Sequence, residues 1–211
     1  MLTFRQLGAM AKKNSGRRQP KQRRALQTVE AVLDAVVRIL KREGVEAVTT
    51  NHIADVAGVS IGSVYQYFPD KRAIFVALHQ RHIDQIDRMV ESKLMEHASS
   101  ALDELMAAMV EAMVDAHAID PRLYELLLTE VPHRAQGTQD FAVRLHGAFR
   151  LAIASRRHEL KMGRDLDQVV FVVTHMVEAL SHGAVLRRPP SLSLGAAKKE
   201  AVRAVLAYLR A

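Results

Sequence analysis

Apolar residues recur along this chain at spacings of three and four, the period of an amphipathic helix, and rarely at the alternating spacing of a strand. In the first such segment Val29, Val32, Leu33, Val36, Val37 and Leu40 share a face, while Glu30, Asp34, Arg38 and Lys41 fall elsewhere. Gly44 then ends the helix, since glycine takes the left-handed conformation that closes helical termini. A short helix is expected from about Thr50 to Ala57, stopped by Gly58, and another from Ile61 to Tyr67, capped by Ser60. Pro69 closes that one, because proline disfavours the α conformation at Phe68. Asp70 caps a fourth helix, from Lys71 to about His97, and Ser100 with Asp103 resembles a capping box for a fifth that runs to about Ala118. Asp120-Pro121 opens a sixth, which Pro132 ends; 137–161, 165–187 and 195–210 supply three more. The expected fold is all-α, about nine helices with no internal repeat: a three-helix N-terminal module with a helix-turn-helix, a connecting helix and a larger helical domain.

Composition supports a packed core, with 49% apolar residues in 211. The absence of Cys removes disulfides, thiolate metal sites and a Cys nucleophile, and fits a reducing cytoplasm. No apolar run reaches ~18 residues without a charge, so no membrane-spanning helix is expected. The N-terminus has no apolar segment of the signal-peptide kind. The net charge of +7 is unevenly placed: residues 1–24 hold eight basic residues and no acid, leaving 30 − 8 = 22 basic against 23 acidic elsewhere. The excess therefore belongs to a basic arm, expected to be disordered over 1–20. It reads either as a tracker of phosphates or as a solvated tail. The helix-turn-helix domain then covers 21–82 and the larger domain 83–211.

Between Thr49 and Phe68 the residue types suit two crossing helices. Ile53, Ala54 and Ala57 pack inward, Gly58 reverses the chain, Val59 covers the turn, and Val64 and Phe68 anchor the next helix. Ile61, Gly62, Ser63, Gln66 and Tyr67 are left outward. Small and amide side chains near a helix N-terminus are what the major groove admits. Gln66 suits adenine, Ser63 either base type, and Ile61 a thymine methyl, with Gly62 allowing close approach. Thr50, Tyr65 and Lys71 suit phosphate oxygens. Tyr65 and Tyr67 also read as half-buried packing residues.

The stretch Val48–Phe75 resembles the N-terminal signature of the TetR family of transcriptional regulators. The matching residues are Thr49-Thr50, Ile53-Ala54, Ala57-Gly58-Val59-Ser60, Gly62, Tyr65-Gln66-Tyr67-Phe68, Lys71 and Ile74-Phe75. The likeness covers about residues 22–82. It implies a homodimer on a palindromic double-stranded DNA operator, usually repressing, released by a small-molecule effector in the C-terminal domain. Carried over by position, Thr50, Tyr65 and Lys71 hold phosphates, while Asn51, Ile61, Ser63 and Gln66 face bases. Thr49, Ser60, Gly62 and Tyr67 complete the expected DNA-facing set.

From Leu166 to Leu186 apolar residues cover nearly the whole helical circumference, as expected of a helix buried on both sides. Val202, Val205, Leu206 and Leu209 add a stripe on the last helix. The expectation is a four-helix dimer interface formed by 165–187 and 195–210; an ordinary buried core helix is the other reading. Met106, Met109 and Met113, with Phe141, Leu145, Phe149 and His175, are candidates for a ligand pocket, as is His146; the same spacings also describe core packing. A helical metalloenzyme is the first rival. His79 and His82 are three apart and Glu130 precedes His133 by three, yet Pro132 interrupts that motif and no second copy exists. A membrane-surface module is the second; the arm lacks an apolar face beyond Leu2, Phe4 and Leu7. No phosphate-cradling Gly-rich loop or Ser nucleophile elbow occurs. No catalytic residue, metal or cofactor is expected.

Overall fold

A computed structural model describes residues 19–131, 136–161 and 163–211. Its helices are α1 (Gln19–Glu43), α2 (Thr50–Ala57), α3 (Ile61–Tyr67), α4 (Lys71–Glu96), α5 (Leu102–Ala118), α6 (Pro121–Glu130), α7 (Gln136–Ala154), α8 (Leu166–His182) and α9 (Leu194–Arg210). Short 3-10 turns occupy Val45–Ala47 and Arg157–Glu159, and a π turn, Gly183–Arg187, follows α8. No strand occurs among the described residues, so the fold is all-α as expected. Helix α1 starts at Gln19, two residues inside the span assigned to the basic arm; the rest of that arm lies outside the described residues, as do Pro132 and His133.

The chain divides into two compact units. One takes the described residues up to Arg81 together with 125–131; the other takes His82–Tyr124 and the described residues from 136 on. In the first, Val32, Leu33, Val36 and Ile39 of α1 are buried with Ile53, Val64, Ile74, Phe75 and Leu78. Arg81 on α4 bonds Glu30 at 3.1 Å and Asp34 at 2.6 Å, tying α4 to α1 at the edge of this core.

In the second unit α8 lies at the centre, against α5, α7 and α9. Val169, Val170, Val173 and Val177 are at most 1% exposed. By length and composition Leu166–Arg187 would suffice to cross a membrane, which the charge-free criterion applied to the sequence passed over; here its inner face is packed into this core. Its outer stripe is not covered by this chain. Along the outer stripe Gln168, His175 and Glu178 are exposed, and Phe171 is 57% exposed. The stripe on α9 turns inward, with Val205 and Leu209 buried against the same core.

The turn between α4 and α5 is held from a distance. Arg156, 8% exposed, donates from Nε to the Ser100 carbonyl at 2.7 Å, and from Nη2 to the carbonyls of His97 at 2.7 Å and Ala98 at 2.9 Å. These carbonyls belong to the turn that follows α4, and that of His97 also accepts from the Ser100 N–H at 3.1 Å. Glu159 accepts from the backbone N–H of Leu102, the first residue of α5, at 2.8 Å. The expected Ser100–Asp103 capping box does not form: Ala101 holds the cap position, and Ser100 pairs instead with His97 Nδ1 at 3.2 Å. The same engagement ends α7 at Ala154, short of the expected 161, since the chain must turn to deliver both side chains. Arg156→Ala should lower stability by about 1–3 kcal/mol, because the turn loses its bonds to a buried guanidinium; urea denaturation of the two proteins measures it.

Candidate nucleic-acid interface

The two short helices are set by local bonds. Thr49 caps α2, its side chain accepting from the His52 N–H at 3.3 Å. Gly58 sits in the left-handed region, φ 69° and ψ 32°, and its N–H donates to the carbonyls of Ala54 and Asp55. Ser60 caps α3, accepting from the Ser63 N–H at 3.1 Å. Val64 and Phe68 are buried beneath α3, and Arg38 of α1 donates to the Val56 carbonyl near the end of α2 at 2.9 Å. His52 joins Glu43 at 2.9 Å, binding α2 to the end of α1.

With the inner faces fixed, the candidate residues sort themselves. Asn51, Ile61, Gly62, Tyr65, Gln66 and Lys71 are exposed; Thr50, Ser63 and Tyr67 are half-buried. Ile61 is 38% exposed, so an apolar side chain keeps over a third of its surface in water. The hydroxyls of Thr50 and Tyr65, from different helices, stand 3.4 Å apart, so the two phosphate candidates converge. Tyr65 is 52% exposed. Lys71 opens α4, with its Nζ 5.5 Å from the Phe75 ring centre, and Asp70 caps the helix by accepting from Ala73 N–H at 2.7 Å. A Cβ on Gly62 would meet only the Ser60 hydroxyl, at 3.8 Å, so the fold does not require glycine there.

The ligand candidates are placed differently. Met106, Met109, Met113, Leu145 and Phe149 are buried in the second unit's core, with Phe141 partly buried against it. His175 is exposed, bonded through Nδ1 to the Phe171 carbonyl at 2.7 Å and stacked 4.2 Å from the Phe171 ring. None of these lines the cavity of about 510 Å³ in this unit, whose walls are His82, Gln85, Ile86, Met89, Ala112, Asp115, Ala116 and Ile119.

A family model described as bacterial regulatory proteins of the tetR family matches residues 32–78, and one described as tetracyclin repressor-like, C-terminal domain, matches residues 101–209, half of the chain. The chain belongs to the TetR family. The first of these models describes regulatory proteins, and its match spans both short helices and the turn between them. Among curated proteins, the HTH-type transcriptional regulator AcrR of Shigella flexneri is 25% identical over 122 residues, covering 56% of this chain and 54% of that one. The match thus spans about half of that relative. Two solved structures share the fold. The fatty acid degradation regulator FadR of Bacillus halodurans has a TM-score of 0.66 at 17% identity, covering 86% of this chain and 99% of its own. FadR of Bacillus subtilis, solved with stearoyl-CoA, has a TM-score of 0.65 at 20% identity with the same coverage.

This TetR-family protein also holds a polar cluster that the sequence reading missed. His82 (α4), His117 (α5), Tyr124 (α6) and His182 (α8) form one ring cluster, in which His117 and Tyr124 lie 4.1 Å apart and each lies 5.3 to 5.6 Å from both His82 and His182. Only tertiary packing unites positions so far apart in sequence. No group suited to hold a metal occurs among the described residues. Burial, helped by the neighbouring His82 and His182, holds the His117 imidazole down at about 3, against a bond to the Met113 carbonyl that favours protonation. Burial, with Glu178 adding, pushes the Tyr124 phenol up.

Two stability predictions follow from this geometry. Ser60→Ala should cost about 1 kcal/mol through the lost cap, and Gly58→Ala about 1–2 kcal/mol through the left-handed backbone; denaturation midpoints check both. The unfolded chain takes a proton on His117 near pH 6.5 while the fold refuses it down to about 3. Stability is therefore full above about 6.5 and falls as the pH drops through that window, at up to ~1.4 kcal/mol per unit. His117→Phe should flatten that slope in a denaturation series; parallel slopes in the two proteins would remove the assignment.

Proposed function

We propose that this regulator binds a palindromic operator as a homodimer, represses from it, and is released by a small-molecule effector held in the second unit. The observation that carries the reading is the outer face of α3: Ile61, Gly62 and Gln66 exposed in one patch, flanked by the converging Thr50 and Tyr65 hydroxyls. On this reading α3 lies in the major groove, Gln66 and Ser63 pair with base edges, Ile61 meets a thymine methyl, and Asn51 reaches a base from α2. Thr49, Thr50, Ser60, Tyr65, Tyr67 and Lys71 position the helix on the backbone.

Dimerisation is supported by operator geometry, since a single seven-residue helix reads few base pairs and two half-sites need two modules. Because the apolar stripe of α9 turns into its own core, the outer faces of α7 and α8, where Val143, Leu151 and Phe171 are exposed, carry more of the proposed interface than the span 195–210. The cavity in the second unit supports an effector, and the FadR relative solved with stearoyl-CoA shows that a protein of this fold accommodates an acyl ligand.

Three variants test the DNA-binding face by gel shift on DNA upstream of the gene. Gln66→Ala should relax preference at one operator position; unchanged preference everywhere would remove the assigned face. Lys71→Ala should weaken binding evenly across sequences and reduce the salt slope by about one. Gly62→Ala should leave the fold as stable or stabilise it by about 0.5–1 kcal/mol while weakening DNA binding, because its methyl faces the duplex.

A further inference from the structure

The cavity and the polar cluster of the second unit share one residue. His82 lines the cavity, and its ring lies 5.3 Å from His117 and 5.6 Å from Tyr124. Behind it Tyr124 is 5% exposed, and its hydroxyl has no hydrogen-bond partner. Ser181, fully buried and adjacent to His182, has an unpartnered hydroxyl as well. Native interiors leave few polar groups unmatched, and those left so call for an explanation. The walls in front of His82 are mainly apolar, through Ile86, Met89, Ala112, Ala116 and Ile119. At about 510 Å³ the space falls within the range of small-molecule sites.

We infer that this cavity takes an apolar small molecule ending in a carboxylate, whose head passes His82 to accept a hydrogen bond from the Tyr124 hydroxyl within the imidazole cluster. The inference rests on the effector reading above and gives that effector a chemical class. The groups around the head are His82 from α4, His117 from α5, Tyr124 from α6 and His182 from α8, and the exposed Glu178 carboxylate of α8 acts on Tyr124 through its charge. Asp115 on the cavity wall is neutralised by Lys198 at 2.8 Å. His117, with Nδ1 on the Met113 carbonyl at 2.6 Å, is neutral when the site is empty, because burial disfavours its charge. An arriving carboxylate reverses that balance by placing an opposite charge beside the rings. One imidazole then takes a proton from solvent, so binding and proton uptake are linked. No bond is made or broken. A neutral alcohol has no charge to draw the proton. An ammonium head would be repelled by any imidazolium and would leave the Tyr124 donor unmatched.

The test is titration calorimetry of the full chain with decanoate, decanol and decylamine, in phosphate and in Tris buffer between about pH 6 and 8. Decanoate should bind most tightly, with uptake approaching one proton, and should weaken up to tenfold per pH unit as pH rises. Tyr124→Phe removes only an oxygen that has no partner, so the fold is retained, and decanoate should weaken by roughly tenfold or more. His117→Phe should abolish the buffer dependence. Decanoate binding no tighter than decanol, or without proton uptake, overturns the inference. A gel shift run in parallel separates it from the effector reading. Decanoate that binds with proton uptake yet leaves the DNA complex intact overturns the effector role and keeps this site. DNA release by another compound, undiminished in Tyr124→Phe, keeps the effector role and overturns this site.

Discussion

A helix of seven residues does not hold itself together in water, and α3 has seven. Its shape is imposed from outside. Ser60 satisfies its first N–H groups, the left-handed Gly58 fixes its direction from α2, and Val64 and Phe68 hold it to the core of the first unit. Helix α2, with eight residues, is held likewise by Thr49, by Arg38 on its last turn and by His52 on Glu43. Because every supporting bond lies on the inner side or at an end, the outer side of α3 is free for another molecule.

The second unit handles buried polarity in two ways. Arg156 is 8% exposed, and its guanidinium reaches the carbonyls of His97, Ala98, Ser100 and Ala152. That arrangement is complete and pins the α4–α5 turn. Around Tyr124 the arrangement is incomplete: two hydroxyls lack partners and an imidazole is kept neutral by its surroundings. One group reads as structural and the other as receptive, and the difference lies in satisfied bonds rather than in residue type.

What the sequence disclosed follows from the range of each interaction. The caps by Ser60, Asp70 and Asp120 were legible because donor and acceptor lie three residues apart. The helix-turn-helix was legible for the same reason. The Ser100 cap was misread because Glu159, 57 residues downstream, meets the first N–H of α5 instead. Met106, Met109 and Met113 share a helical face, but spacing could not say whether that face met a cavity or a packed core; it meets the core. The cluster of His82, His117, Tyr124 and His182 left no local mark, since four separate helices bring it together. The apolar residues of α8 fall on an inner face that this chain buries and on an outer side, with Phe171, that it leaves open.

The division of labour on α3 has an evolutionary consequence. Gly62 and Gln66 are exposed and Ile61 keeps over a third of its surface in water, so on the proposed reading selection for a new DNA sequence and selection for a stable domain act largely on different side chains. Recognition can drift through those three positions while the unit stays folded. Ser63 is the exception: its N–H is held by the Ser60 hydroxyl and its own hydroxyl lies 2.8 Å from the same atom. Of the residues proposed to face bases it is the position least free to change, because a substitution there alters the helix start and the proposed reading surface together.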